Sequence, residues 1–212
     1  MEKHLVNYFD GIWNKHFLVS TIGALILLLT SLVMNYYAGV FATHSVSNPV
    51  TDIILDNIPA QNVDWIFVYG IIIFWFFIAF IVLKKPKRIP FILKSIALFV
   101  FIRSVSVTLT HIAPFAGQIN LPSDTLIRFF TFGGDLFFSA HTGLPFLMFL
   151  LFWDIKFLRY LFLATSILFA VVVLIGHYHY SIDVFAAFFI TYTISHLCIL
   201  FFDRDHQEFL KA

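Results

Sequence analysis

An all-α, six-transmembrane-helix bundle is the fold class this sequence predicts, and three observations predict it. Of the 212 residues, 60% are hydrophobic and only 12% charged, against about 25% charged in a soluble domain. Six apolar runs approach the ~20 residues a helix needs to cross a bilayer. The basic residues between those runs fall on alternate loops. A net charge of +1 points to no partner, and no basic arm or aromatic-interleaved basic patch points to nucleic acid. The single cysteine, Cys198, lies inside an apolar run, which excludes an intramolecular disulfide and a cysteine-rich metal site. The 29 phenylalanines read as lipid-facing bulk.

The expected spans are Phe17–Phe41, Trp65–Leu83, Ile89–Thr110, Leu136–Trp153, Phe157–Ile175 and Ile182–Phe202. The first follows Lys3 and Lys15 and ends near Val40-Phe41-Ala42, a signal-peptide arrangement. Its apolar stretch exceeds the roughly 7–15 residues of a signal h-region, so an uncleaved span is expected. Pro90 opens the third span, where its missing N–H costs little. The fourth is the shortest, and Pro145 in its first turns is expected to kink it below His141. No repeat, low-complexity segment or long linker divides the chain, so residues 1–212 are expected to form a single transmembrane domain, a minimal core.

Loop charges set the expected orientation. Lys84, Lys85, Lys87 and Arg88 lie between spans two and three, and Lys156 and Arg159 between four and five. Lys3 and Lys15 precede span one, while Arg204 and Lys211 follow span six. All share one side, expected to be cytoplasmic together with both termini. In the opposite loops, 42–64, 111–135 and 176–181, only Arg128 is basic. The first two hold Pro49, Pro59, Pro114 and Pro122, with Asp52, Asp56 and Asp64 in the first, and are long enough to fold over a site on that face.

Chemistry-bearing residues collect at the same face, though the charge rule takes no account of them. His179 and Asp183 are four residues apart, a spacing that puts both on one side of a helix. The carboxylate can then hold one ring nitrogen, fix the tautomer and leave the other nitrogen to attack. His141 is expected about one and a half turns into the fourth span, facing the bundle or a wet cleft, because ionisable groups rarely face lipid. It can carry a proton to or from a reacting group. Ser139 and Thr142 flank it. Arg103 lies seven residues inside the third span, roughly 10 Å deep at 1.5 Å per residue. At a helix centre that costs about 2.5–3.5 kcal/mol unless compensated. The partner is either an anionic phosphate, which fits the guanidinium fork, or Asp135, Asp183 or Asp64. His177, His111, His44 and His196 read as loop or structural residues, and Tyr178 and Tyr180 as an interface belt. There is no Gly-rich phosphate loop, no aspartate cluster on adjacent helical turns and no HExxH zinc motif. A phosphoryl reaction here is therefore expected to proceed on histidine, with no metal and no cofactor.

These blocks resemble the sphingomyelin synthase family, a branch of the type 2 phosphatidic acid phosphatase superfamily. Gly134-Asp135 followed by Ser139-Ala140-His141-Thr142 is similar to its Gly-Asp-x-x-Phe-Ser-Gly-His-Thr block, with Ala140 in place of glycine. His179-Tyr180-Ser181-Ile182-Asp183-Val184 is similar to its His-Tyr-Thr-x-Asp-Val block, with Ser181 in place of threonine. Arg103 through Pro114, with Ser106 and Thr110, follows its Arg-Thr-Thr-Pro block, and Pro59 through Asp64 resembles its Pro-Asp-x-x-x-Asp block. The resemblance implies six spans, cytoplasmic termini and a site on the exoplasmic face, periplasmic or lumenal (in the inner membrane, if bacterial). It implies that His179 attacks a lipid head-group phosphate to form a phosphohistidine. His141 would protonate the departing diacylglycerol oxygen and then activate an acceptor hydroxyl. Arg103, Asp135 and Ser139 would bind substrate. The implied partners are a phosphatidylcholine or phosphatidylethanolamine donor and a ceramide or diacylglycerol-type acceptor.

The superfamily's phosphatases carry a Lys-x6-Arg-Pro block and an Arg six residues before the nucleophile. Here that position is Val173 and the first block is absent. A dianionic phosphomonoester needs more cations than this, whereas a singly charged phosphodiester suits Arg103. A lipid phosphatase or phospholipase C-like hydrolase on the same site is the nearest alternative. A haem protein ligated by His141 and His179, and a non-catalytic lipid-binding or transport protein, are alternatives of other classes.

Overall fold

A computed structural model describes residues 15–116 and 136–212. Among them every regular element is a helix: α1 (Lys15–His44), α2 (Asp64–Lys84), a 3-10 turn (Pro86–Arg88), α3 (Ile89–Leu109), α4 (Ala140–Leu151), α5 (Lys156–Ile175), α6 (Ser181–Phe201) and α7 (Asp203–Leu210). Five of these, α1, α2, α3 with its preceding turn, α5 and α6, are long and apolar enough to cross a membrane.

The expected count of six is not met among the described residues, and the fourth span is where it falls short. α4 has 12 residues, about 18 Å at 1.5 Å per residue, against a hydrocarbon core of ~30 Å. Leu136–Ser139, expected to be its first turn, is non-helical. Ser139 takes the N-cap position, its hydroxyl accepting from the Thr142 amide at 3.4 Å. Irregular backbone at membrane depth is tolerated where protein covers it, and Leu136, Phe138 and Ser139 are all buried.

α4 can be short because it sits in the middle of the bundle. It packs against both α5 and α6, with α3 on a further side. Seven of its residues are buried, including Thr142, Gly143, Leu147 and Met148. A Cβ on Gly143 would come within 2.7 Å of the Phe99 ring and 2.9 Å of Thr191 Oγ1, so α3 and α6 approach a bare backbone there. Ser166 of α5 ties on by donating to the Thr142 carbonyl at 2.8 Å. Pro145 has no N–H for the His141 carbonyl one turn back. α1 packs on α3 from outside and buries few of its own residues.

The end of the bundle that carries the basic loops is closed by a cluster and a helix that the sequence reading did not anticipate. Lys94 of α3 pairs with Asp205 of α7 at 2.5 Å, and the Ser20 hydroxyl of α1 donates to the same carboxylate at 2.6 Å. Arg88 is buried at the same end, against the Phe152 and Phe209 rings.

Candidate active site

The opposite end is organised by four residues without helical structure, Leu136–Ser139. Their backbone groups receive side chains and backbone from three other elements. Arg103 Nε of α3 donates to the Phe138 carbonyl at 2.9 Å. His179 Nδ1 meets the Leu136 carbonyl at 2.8 Å. The Ser139 amide donates to the Asp183 carbonyl at 3.3 Å. The segment before His141 is thereby stitched to the segment carrying His179 and Asp183.

His179 and Asp183 do meet, by a route other than a shared helix face. α6 starts at Ser181, so His179 lies outside it in the turn 176–180. That turn folds back: the Tyr178 and His179 amides both donate to the Val173 carbonyl of α5. Gly176 permits it, since a Cβ there would fall 2.3 Å from the Tyr178 ring. His177 takes φ 56°, a left-handed conformation uncommon for a residue with a side chain. Asp183 sits one turn into α6 and reaches back, its Oδ2 accepting from the Tyr180 amide at 3.1 Å and lying 3.3 Å from His179 Nδ1. This is the reach of a helix-capping carboxylate.

The geometry fixes the tautomer by elimination. Both neighbours of His179 Nδ1, the Leu136 carbonyl and the Asp183 carboxylate, are acceptors. Nδ1 must therefore carry the proton, and in the neutral ring Nε2 keeps its lone pair. The carbonyl is the nearer partner at 2.8 Å, so it aims the ring more strongly than the carboxylate expected from the sequence. Asp183 is fully buried, its Oδ1 has no hydrogen-bond partner among the described residues, and His179 is buried too.

His141 lies in the first turn of α4 rather than one and a half turns in. Its ring stacks on Phe67 of α2, centroids 4.0 Å apart, with the Phe169 edge at 5.6 Å. Phe67 in turn packs on Tyr178 at 4.3 Å, and the Tyr178 hydroxyl donates to Asp64 at the start of α2. Burial, and after it this bond, push the Tyr178 phenol upward, so it stays protonated. His141 is within electrostatic range of both His179 and Arg103, and its buried Nε2 has no partner among the described residues.

Of the other expected site residues, Ser139 is buried and serves as the α4 cap. Arg103 is buried, and besides the Phe138 carbonyl its Nη1 lies 3.4 Å from Asn35 Oδ1. Asp135 lies outside the described residues. The reading missed Asp52. Its Oδ2 accepts from the Ser181 amide at 2.6 Å and brings loop 45–63 onto the turn before α6. The available signal was the pair Asp52 and Asp56, which meets the Asp-x-x-x-Asp spacing that residues 59–64 lack.

A membrane-embedded helical protein with two histidines, a carboxylate and an arginine drawn to one end of the bundle is the class that fold and site define. Residues 133–200 match the family model described as PAP2 superfamily C-terminal. That is about a third of the chain, and it contains both histidine segments. The match supports the type 2 phosphatidic acid phosphatase superfamily, and with it enzymatic chemistry of phosphatase or phosphotransferase type. No curated protein and no solved structure matches the chain.

Proposed function

We propose that this protein is a phospholipid head-group phosphotransferase, similar to sphingomyelin synthase, working through a phosphohistidine at His179. The observation that carries the reading is the pair of acceptors at His179 Nδ1, which leaves Nε2 as a nucleophile. Nε2 attacks the phosphorus of a phosphodiester lipid, and the bond from phosphorus to the diacylglycerol oxygen breaks. His141 gives that oxygen its proton. The head-group phosphoryl unit stays on His179 while diacylglycerol leaves. An acceptor lipid hydroxyl then loses its proton to His141, attacks phosphorus and releases His179. Asp183 and the Leu136 carbonyl stabilise the positive ring while it is phosphorylated. Arg103, Ser139 and Asp135 complete the substrate side, with Arg103 facing the phosphate. The site opens to the exoplasmic face, and both termini lie in the cytoplasm.

The superfamily match favours one second reading, a hydrolase that uses water in place of the acceptor hydroxyl. Val173, and Arg103 as the one arginine at the site among the described residues, weigh toward a singly charged diester over a dianionic monoester. One assay separates the two. Purified protein is incubated in EDTA with phosphatidylcholine, phosphatidylethanolamine and phosphatidylglycerol, with and without ceramide or diacylglycerol, and products are read by lipid mass spectrometry. A head-grouped acceptor lipid that vanishes in His179→Ala is the expected result. Diacylglycerol with free head-group phosphate makes it a hydrolase, and full activity in His179→Ala removes the nucleophile assignment.

A further inference from the structure

We propose that Asp52, in the loop between α1 and α2, is a positioning residue: its carboxylate grips the first amide of α6 and so holds the turn that presents His179. The inference rests on the phosphotransfer reading only for its activity readout.

A helix leaves its first amides without intrahelical partners, and a carboxylate there satisfies them and suits the helix dipole. α6 uses two carboxylates on successive amides. Asp183, from within the helix, takes the Tyr180 N–H at 3.1 Å, and Asp52, from 129 residues away, takes the Ser181 N–H at 2.6 Å. Asp52 is itself fixed. It is buried, its Oδ1 accepts from the Ile54 and Leu55 amides at 2.9 and 3.1 Å, and its own amide donates to Asp56 Oδ2 at 2.9 Å. Leu55 packs beside Tyr180 and Leu136. The Tyr180 hydroxyl donates to the Ala113 carbonyl at 2.8 Å and accepts from the Val50 amide at 3.3 Å. Residues 180 and 181 are thus pinned to two loops, between His179 on one side and Asp183 on the other.

The distances make the pin matter. Asp183 Oδ2 is shared between the Tyr180 amide and His179 Nδ1, and the second contact is already 3.3 Å long. A shift of a few tenths of an ångström in the turn takes it beyond hydrogen-bond range. Asparagine cannot replace Asp52, because three N–H groups share its two oxygens. One would face an NH2 group instead.

The test is a cycle of wild type, Asp52→Ala, Ser181→Pro and the double variant in the full-length protein. Proline fits the first helical position and removes the N–H that Asp52 grips. Tyr180, at φ −68° and ψ 157°, already has the backbone that precedes proline. Two readouts are taken: kcat and KM for the donor lipid, and the 15N signals of selectively labelled histidine. Each single variant is expected to lower kcat about 10- to 100-fold, the worth of a charge-assisted hydrogen bond, with little change in KM. Asp52→Ala made on the Ser181→Pro background should then cost little more. The His179 Nδ1 signal should move in both single variants while that of His196 stays. Unchanged kcat with an unmoved His179 signal overturns the proposal, as does an undiminished Asp52→Ala effect on the proline background. If Asp52→Ala does not fold, Ser181→Pro tests the same contact from the other side. If wild type turns over none of the probe lipids but the His179 signal still moves, the phosphotransfer reading fails and the positioning role stands.

Discussion

Two polar clusters, one at each end of this bundle, leave their buried groups in opposite states. At the Lys94 end the lysine, the Asp205 carboxylate and the Ser20 hydroxyl satisfy one another at 2.5–2.8 Å. At the His179 end, Asp183 Oδ1 and His141 Nε2 are buried with no partner among the described residues. Leaving a buried polar group unpaired costs about 1–3 kcal/mol, and a fold tolerates this where something other than stability is served. The Lys94–Asp205–Ser20 cluster is closed and holds α1, α3 and α7 together, although Arg88 Nε and His206 Nδ1 at the same end are also buried with no partner among the described residues. The second is held from behind by backbone carbonyls and carboxylates, and the proposed reaction would use the histidine nitrogens they leave unengaged.

Substitutions that sort the two ends by activity and stability sharpen the contrast. His179→Ala should have the largest effect, a loss of at least about 10³-fold in transfer per folded molecule, measured by lipid mass spectrometry. His141→Ala should cost about 10²–10⁴-fold, the usual worth of a general acid–base group, and phosphohistidine formation and breakdown should both slow in quenched-flow experiments. Arg103→Lys keeps the charge but loses the fork and the bond to the Phe138 carbonyl. A loss of about 10- to 100-fold in kcat/KM follows from one charged hydrogen bond, and steady-state kinetics against donor lipid concentration checks it.

At the other end the pattern should invert. Lys94→Ala strands the buried Asp205 carboxylate, which should cost about 3–5 kcal/mol of stability, while activity per folded molecule stays at wild-type level. Lys94→Met with Asp205→Leu should recover much of that loss in a thermal unfolding assay. Equal loss of specific activity at both ends would erase the distinction.

The smallest effect concerns pH. Burial pushes the Asp52 carboxyl up, but the Ser181 amide, the Leu55 amide, the Ser181 hydroxyl and the Ile54 amide together outweigh it and hold it below its ordinary value. A carboxyl lowered on folding contributes stability above its unfolded value, near 3.9, and that contribution is lost as pH falls through the folded value. The stability gap between wild type and Asp52→Ala should therefore be flat at neutral pH and close only in strong acid, read from urea unfolding across pH.

What was legible in the sequence is what depends on local pattern. Long apolar runs placed five membrane-crossing helices to within a few residues of their ends, because spanning length and flanking charge are written in consecutive positions. The His179–Asp183 pairing was also legible, although a reaching cap produces it where a helix face was expected. The start of α4 was missed because Leu136–Phe138 is as apolar as any helix turn, and only its carbonyls, taken by Arg103 and His179, show that it cannot be one. Asp52 was missed because its partner is a backbone amide 129 positions away, and amides carry no residue identity. α7 was missed because eight mostly polar residues look like a tail until Asp205 meets Lys94.

The central claim is that His179 Nε2 takes the phosphoryl group, and the most direct measurement is to trap it there. Wild-type protein is mixed with donor phospholipid and no acceptor, quenched without acid within the first turnover, and digested for peptide mass spectrometry. The account predicts the mass of a head-group phosphoryl unit on His179, absent in His179→Ala and discharged when acceptor lipid is added. Lipid turnover with His179 unmodified at every time point, or with the adduct on His141 instead, would contradict it.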